Sequence, residues 1–328
     1  MVGHKAPATY SLLQYNTLNR KWCLVMRFFL VEVGHPSFPF LCRMHISQIK
    51  TIAVCGAGTM GSGIAQAAAQ SGYRVVLFDV NGAMLPKSRA MVENSLGFLV
   101  SKGKLSSAEM EQTLERLRFT SEISECRADV VMEAVVETPV AKAGLFNQLA
   151  QINSPETIFA SNTSSLSITQ LQQMAPLPQR FAGMHFFNPA NIMKLVEVVK
   201  GQHTSQQTLD TLFDLAKKMG KVPVHCKDAP GFIVNHVART YYLEAMCLLD
   251  KGIAPIETID EIMEATGFKM GPFKLMDLIG MDINYKVSEQ VWEALGKPDR
   301  LKPAAIQRAM VEAGELGKKT GRGFYSYS

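Results

Sequence analysis

The chain has 328 residues, of which 47% are apolar and 19% charged, with a formal net charge of +5. That length accommodates two domains of the usual ~100 to 200 residues and excludes a small binding module. No run of about 18 apolar residues offers a membrane span, and a modest charge without a Lys/Arg block argues against a nucleic-acid partner while suiting a small anionic ligand.

Residues 1–45 show neither a clear helical period nor a small-residue cleavage site after their apolar stretch "WCLVMRFFLVEV". They are expected to be an extension outside the fold, with Met44 the natural start. Acids are scarce before Glu32, which keeps a transit peptide open. A cytoplasmic protein is therefore expected, or a mitochondrial-matrix one if the extension is such a peptide. Cys23, Cys42, Cys55, Cys126, Cys226 and Cys247 form no CxxC pair. They are expected as reduced thiols, with no zinc site.

From Ile49 short β-branched runs alternate with helical stretches, the signature of a parallel sheet flanked by helices. "TIAVCGAG" (51–58) predicts a buried strand, "MGSGIAQAAAQSG" a helix stopped by Gly72, and "YRVVLFDV" (73–80) a second strand. Residues 84–118 are expected as a helical arm that projects from the domain. Further strands are expected at 128–137, 156–164, 180–189, 194–201 and 221–228. After "KDAPGFIVNHV" the strand signal ends, and helices separated by Gly and Pro follow. The expected organisation is an extension over 1–45, an α/β domain over 46–229 and an all-α domain over 230–328. The Leu-, Ile- and Met-rich last part suggests self-association as a homodimer or a higher homo-oligomer.

Between the first strand and helix stands "GAGTMG", a GxGxxG pattern comprising Gly56, Gly58, Thr59, Met60 and Gly61. The first glycine permits a tight turn, the second lets the backbone approach a pyrophosphate, and the third allows the helix to pack closely; the helix N-terminus then faces the phosphates. Asp79 ends the second strand 18 residues beyond Gly61. There a carboxylate accepts from ribose hydroxyls and repels a 2′-phosphate, which favours NAD over NADP. The implied fold is a Rossmann-type doubly wound, mostly parallel sheet followed by a smaller all-α C-terminal domain.

Ligands of such sheets bind beyond the carboxyl ends of the strands. Gly56, Asp79, Glu137, Asn162, Ser164, His185 and Asn188 all fall at such ends. An alcohol oxidation coupled to a nicotinamide needs a base for the hydroxyl proton, and His185 is the candidate. Glu197 is the candidate for its orienting carboxylate, because the turn "NPANIMK" lets the next strand fold back beside it.

"GAGTMG", "SNTSS", "GMHFFNPANIMKLVEVV", "KDAPGFIVN", "GPFKLMDLIG" and "GKKTGRGFY" occur in that order. Together they resemble the short form of the 3-hydroxyacyl-CoA dehydrogenase family, over about Ile49 to Tyr327. The resemblance implies His185 and Glu197 as the catalytic pair, Ser164 and Asn235 as contacts of the substrate oxygen, and Glu137 and Lys142 near the nicotinamide half of NAD. It also implies Ser95 and Lys102 as contacts of the CoA portion. The arm departs from lysine-rich relatives, offering only Lys102 and Lys104 in "FLVSKGKLSS", which makes the CoA contacts the weakest part of the transfer. The expected activity is NAD-dependent, reversible oxidation of (S)-3-hydroxyacyl-CoA to 3-oxoacyl-CoA on short chains such as the four-carbon 3-hydroxybutyryl-CoA. The rivals are a hydroxyacid dehydrogenase acting on a free acid and an NAD-binding sensor without turnover.

Overall fold

The structure is a computed structural model that describes residues 46–327. The expected extension and its possible transit peptide lie outside the described residues. Eight strands form one sheet: β1 (Thr51–Cys55), β2 (Arg74–Phe78), β3 (Leu117–Thr120), β4 (Val130–Glu133), β5 (Ile158–Ser161), β6 (Phe181–Phe186), β7 (Leu195–Lys200) and β8 (Val222–Lys227). Their order is β3-β2-β1-β4-β5-β6-β7-β8. Every pairing is parallel except β6 with β7.

The inner strands are runs of Val, Ile, Phe and Ala buried on both faces, as a parallel sheet covered on both sides demands. One face is closed by α1 (Thr59–Gln70), α2 (Met84–Ser101), α3 (Ser107–Glu115) and α6 (Gln206–Lys218) through Ile64, Val92, Leu96, Leu209 and Leu212. The other is closed by α4 (Pro139–Ile152) and α5 (Ile168–Met174) through Phe146, Leu149, Ile168 and Leu171. There Phe146 meets Phe159 and Phe181 edge to face, with ring centroids 5.8 and 4.7 Å apart.

One expectation needs correction. Residues 84–118 are not wholly helical, because β3 begins at Leu117. It is a four-residue edge strand with exposed Arg118 between Leu117 and Phe119, too short to show a period-2 pattern. The base of the arm is anchored: Val92 and Leu96 are buried with α1, and Leu105, Met110 and Leu114 pack against the same core. The i, i+4 spacing of these residues gives each helix an apolar stripe that must be covered. Phe98, Lys102 and Lys104, around the tip of the helix pair, remain exposed.

Several strands are also shorter than the sequence suggests. β1 stops at Cys55 and β4 at Glu133, so Gly56–Gly58 and Ala134–Glu137 leave the sheet and line the crevice at its carboxyl edge.

The C-terminal helices α7 (Val234–Asp250), α8 (Ile256–Ala265), α9 (Pro272–Ile279), α10 (Met281–Ala294) and α11 (Ala305–Glu312) share a core built on Tyr242, Met246, Phe273, Met276, Met281 and Met310. Two buried aspartates fasten the final residues to it. Asp277 accepts from Phe324 N, Tyr325 N and Tyr327 Oη, and Asp260 accepts from Phe273 N, Lys274 N and Tyr325 Oη. No helix of the described residues is long and apolar enough to cross a membrane.

Candidate active site

At the end of β1 each glycine of the GAGTMG turn meets a different local demand. Gly56 has φ +106°, and a Cβ there would lie 2.4 Å from Ala134 O. A Cβ on Gly61 would lie 1.7 Å from Gly56 O, so only glycine lets α1 begin so close to the turn. Around Gly58 a Cβ would meet nothing within 4 Å; its open side faces a cleft. α1 starts there at Thr59 with no side-chain cap, leaving its first N–H groups and its partial positive charge to a ligand.

Asp79 is fixed beside this turn. Its Oδ2 accepts from Ala57 N at 2.7 Å and its Oδ1 from Asn81 N at 2.9 Å. The cleft it lines has a volume of about 720 Å³ and is bounded by Gly56, Gly58, Phe78, Val80, Val136 and Val140. An apolar slot ending in a fixed carboxylate, with an uncapped helix N-terminus alongside, fits an adenosine diphosphate moiety.

On the far side of the turn, the ends of β4 and β5 carry a buried ionic cluster. Lys142 of α4 is fully buried, its Nζ 2.5 Å from Glu133 Oε1 and 3.0 Å from Glu137 Oε2. Glu133 also accepts from Val135 N at 2.8 Å and from Ser161 Oγ at 2.6 Å. Glu137 Oε1 accepts from Thr163 Oγ1, Ser164 N and Ser165 Oγ. Burial alone would raise the Glu137 carboxyl, but the Lys142 charge and the Thr163 hydrogen bond outweigh it and hold the group below the usual carboxylate range. Glu137, Lys142 and Ser164 thus meet in one network. Sequence reasoning missed Glu133, although a lone acid inside the apolar run "VVME" was a signal.

At β6 and β7 the antiparallel return places His185 directly opposite Glu197. His185 Nδ1 lies 2.7 Å from Glu197 Oε2. Both side chains are buried, with the rings of Phe187 and Phe232 centred 4.6 and 5.8 Å from the imidazole. A carboxylate only accepts, so this bond assigns the proton to Nδ1 and leaves the Nε2 lone pair free. The other carboxylate oxygen, Glu197 Oε1, accepts from Ile233 N at 3.0 Å and Val234 N at 2.9 Å. Glu197 therefore caps α7, whose N-terminus lacks a side-chain cap of its own. The arrangement also places Asn235 in the first turn of α7, directly after the two residues bonded to Glu197. The chain reaches this point through Gly231 and Phe232, both in left-handed backbone conformation.

The loop between β6 and β7 is held by contacts distant in sequence. Asn191 Nδ2 donates to Ser95 Oγ at 2.8 Å and to Gln66 Oε1 at 3.2 Å, which brings Ser95 to this loop. Lys221, also missed by sequence reasoning, donates from Nζ to Ala190 O at 2.6 Å and Met193 O at 2.9 Å. Burial, assisted by Lys194, lowers its ammonium to about 8. Asn162 Oδ1 accepts from Phe186 N at 2.8 Å, tying the end of β5 to the strand that carries His185. Asn188 is exposed and precedes a cis proline. Lys102 stands apart as an exposed residue, its ammonium 5.5 Å from the centre of the Phe98 ring.

Comparison with known proteins agrees with this architecture. The family model described as "3-hydroxyacyl-CoA dehydrogenase, NAD binding domain" matches residues 51–229. The model of the same family's C-terminal domain matches residues 231–327. The 3-hydroxyadipyl-CoA dehydrogenase of Escherichia coli is 43% identical over 282 residues, covering 85% of this chain and 59% of that protein. This chain thus spans little more than half of that relative. A probable 3-hydroxybutyryl-CoA dehydrogenase of Deinococcus radiodurans is 44% identical over 276 residues, covering 84% of this chain and 99% of its own. The crystal structure of (S)-3-hydroxybutyryl-CoA dehydrogenase from Ralstonia eutropha superposes with a TM-score of 0.81 at 41% identity, covering 85% of this chain and 99% of its own. With the two family models together matching residues 51–229 and 231–327 and a relative aligned over nearly its full length, the chain belongs to the 3-hydroxyacyl-CoA dehydrogenase family.

Proposed function

We propose that the chain catalyses the NAD-dependent, reversible interconversion of (S)-3-hydroxyacyl-CoA and 3-oxoacyl-CoA, with the four-carbon pair among its substrates. The observation that carries this reading is the His185–Glu197 pair, 2.7 Å apart and buried at the carboxyl edge of a sheet that presents a dinucleotide turn three strands away. Bound NAD supplies the hydride acceptor, or the donor in the reverse direction. His185 Nε2 takes the proton of the C3 hydroxyl as hydride leaves C3, so the C–O bond becomes a carbonyl. Glu197 holds the Nδ1 proton in place and offsets the positive charge the imidazole acquires.

The capping of α7 by Glu197 keeps that carboxylate in one orientation and sets Asn235 facing the same crevice in this account. Asn235 and Ser164 hold the substrate oxygen, and Ser164 is steadied by its backbone bond to Glu137. Ser95 and Lys102 are assigned to the CoA portion, Ser95 on α2 being hydrogen-bonded to Asn191 of the loop between β6 and β7. The phenyl rings of Phe187 and Phe232 shield the imidazole from water, which strengthens its interaction with Glu197. Self-association through the helical domain completes the proposal.

The test is NADH oxidation, followed by absorbance, with acetoacetyl-CoA, 3-oxoadipyl-CoA and free acetoacetate in parallel. Turnover with a thioester and none with the free acid is expected. Turnover with free acetoacetate would assign the chain to hydroxyacid chemistry, and NADH binding without any turnover would make it a sensor. The ratio of the two thioester rates sets the acyl preference.

A further inference from the structure

The Glu133–Lys142–Glu137 cluster does more in this fold than brace α4. Two carboxylates face one ammonium, which leaves one net negative charge. Every hydrogen-bond partner of Glu133 is a donor, namely Val135 N, Lys142 Nζ and Ser161 Oγ, so the geometry suits its ionised form. Glu133 and Lys142 are fully buried, and water therefore screens the surplus charge poorly.

The position of this charge follows from the strand order. The apolar cleft and Asp79 lie at the end of β2, and the phosphate-facing turn lies at the end of β1. His185 lies at the end of β6, and between it and the turn stand only β4 and β5; the cluster sits at the end of β4 and the start of α4, with Ser161 of β5 bonded to it. A dinucleotide laid from the cleft across the turn must place its second base over that interval to reach His185. The oxidised nicotinamide ring is a cation and the reduced ring is neutral. The other buried carboxylate nearby, Glu197, already has its charge met by the positive end of α7.

We infer that the Glu133–Lys142–Glu137 cluster sets the relative affinity for the two cofactor forms, with its surplus negative charge favouring NAD⁺ over NADH. Glu133 acts in this as a positioning residue, because it reaches the ligand only through Lys142 and through the charge balance. A consequence follows for the direction of the bound reaction. By stabilising the bound oxidised form relative to a site without the surplus charge, the cluster makes the bound reduced cofactor a stronger hydride donor than it would otherwise be. Relative to a neutral cluster, this shifts the enzyme-bound equilibrium toward reduction of the 3-oxo group, in which C3 accepts hydride and its oxygen takes the proton from His185. The inference rests on the proposed placement of the nicotinamide beside His185.

The experiment is a fluorescence titration of NADH, with NAD⁺ measured by competition, on the wild type, Glu133→Gln, Lys142→Met and the double variant. Removing one negative charge in Glu133→Gln should weaken NAD⁺ relative to NADH by about tenfold. Lys142→Met should shift the ratio the opposite way. The double variant restores the original net charge and should return the ratio to within about threefold of wild type. Should one single variant fail to fold, the other and the double variant still test the sign and its reversal. Equal weakening of both nucleotides in every variant, the mark of a purely structural role, overturns the inference. A wild type that binds neither nucleotide would instead overturn the cofactor reading itself, a result separable from an unchanged ratio.

Discussion

Replacing Glu197 with glutamine tests how the pair works, because the two ends of the side chain make incompatible demands on an amide. Glu197 Oε2 faces His185 Nδ1 at 2.7 Å, while Oε1 accepts from Ile233 N and Val234 N. An amide has one acceptor and one donor end. If its oxygen serves the imidazole, its NH₂ confronts two N–H donors at the start of α7; if the oxygen serves α7, the imidazole loses its acceptor and with it the tautomer that leaves Nε2 free. The lost charge interaction with an imidazolium about 4 Å away, at an effective dielectric of 20, is about 4 kcal/mol. A retained amide hydrogen bond offsets part of this, leaving roughly 2–3 kcal/mol in the transition state, or about a 30- to 200-fold fall in kcat. The assay is steady-state turnover of acetoacetyl-CoA with saturating NADH, with thermal unfolding run alongside to register the disturbed α7 cap. A Glu197→Gln enzyme within threefold of wild-type kcat would refute the reasoning.

Other outcomes follow from the same geometry. Gly56→Ala should abolish NADH binding in a fluorescence titration, because its Cβ would lie 2.4 Å from Ala134 O at a φ of +106°; retained affinity would contradict the tight-turn account. The depressed Glu137 carboxyl stabilises the fold above pH 4.5, and that contribution is lost as pH falls through its lower folded value. The stability advantage of wild type over Glu137→Gln, read by denaturant unfolding, should therefore shrink on acidification. Lys221 has the opposite sense of linkage. Its ammonium titrates at about 8 in the fold against 10.5 as the ordinary value, so between them the unfolded chain binds the extra proton and stability rises with pH. Wild type should gain on Lys221→Met between those pH values, and a constant difference would count against a buried amine at that site.

The parts that were legible in the sequence are those whose causes are local. The glycines of GAGTMG are demanded by a positive φ at Gly56 and a backbone approach at Gly61, both within one turn. The His185–Glu197 pairing was also readable, because a short turn returning antiparallel sets residues twelve apart opposite one another. The missing parts depend on distant contacts. Nothing near Lys221 in the sequence announces that it grips Ala190 and Met193 some thirty residues earlier. Glu133 looks like a stray acid until α4 brings Lys142 against it. The anchoring of the arm's base is likewise tertiary: the i, i+4 stripe of Val92 and Leu96 is covered by α1, which the arm's length alone does not reveal.

The most direct test of the central claim, that His185 is the proton-transferring base, is a paired measurement on His185→Gln: NADH affinity by fluorescence, and turnover of acetoacetyl-CoA by absorbance. The account predicts affinity close to wild type with kcat lower by at least about 100-fold, since general acid–base catalysis contributes ~10² to 10⁴ in rate. Near wild-type turnover in this variant, with the cofactor still bound, would contradict it.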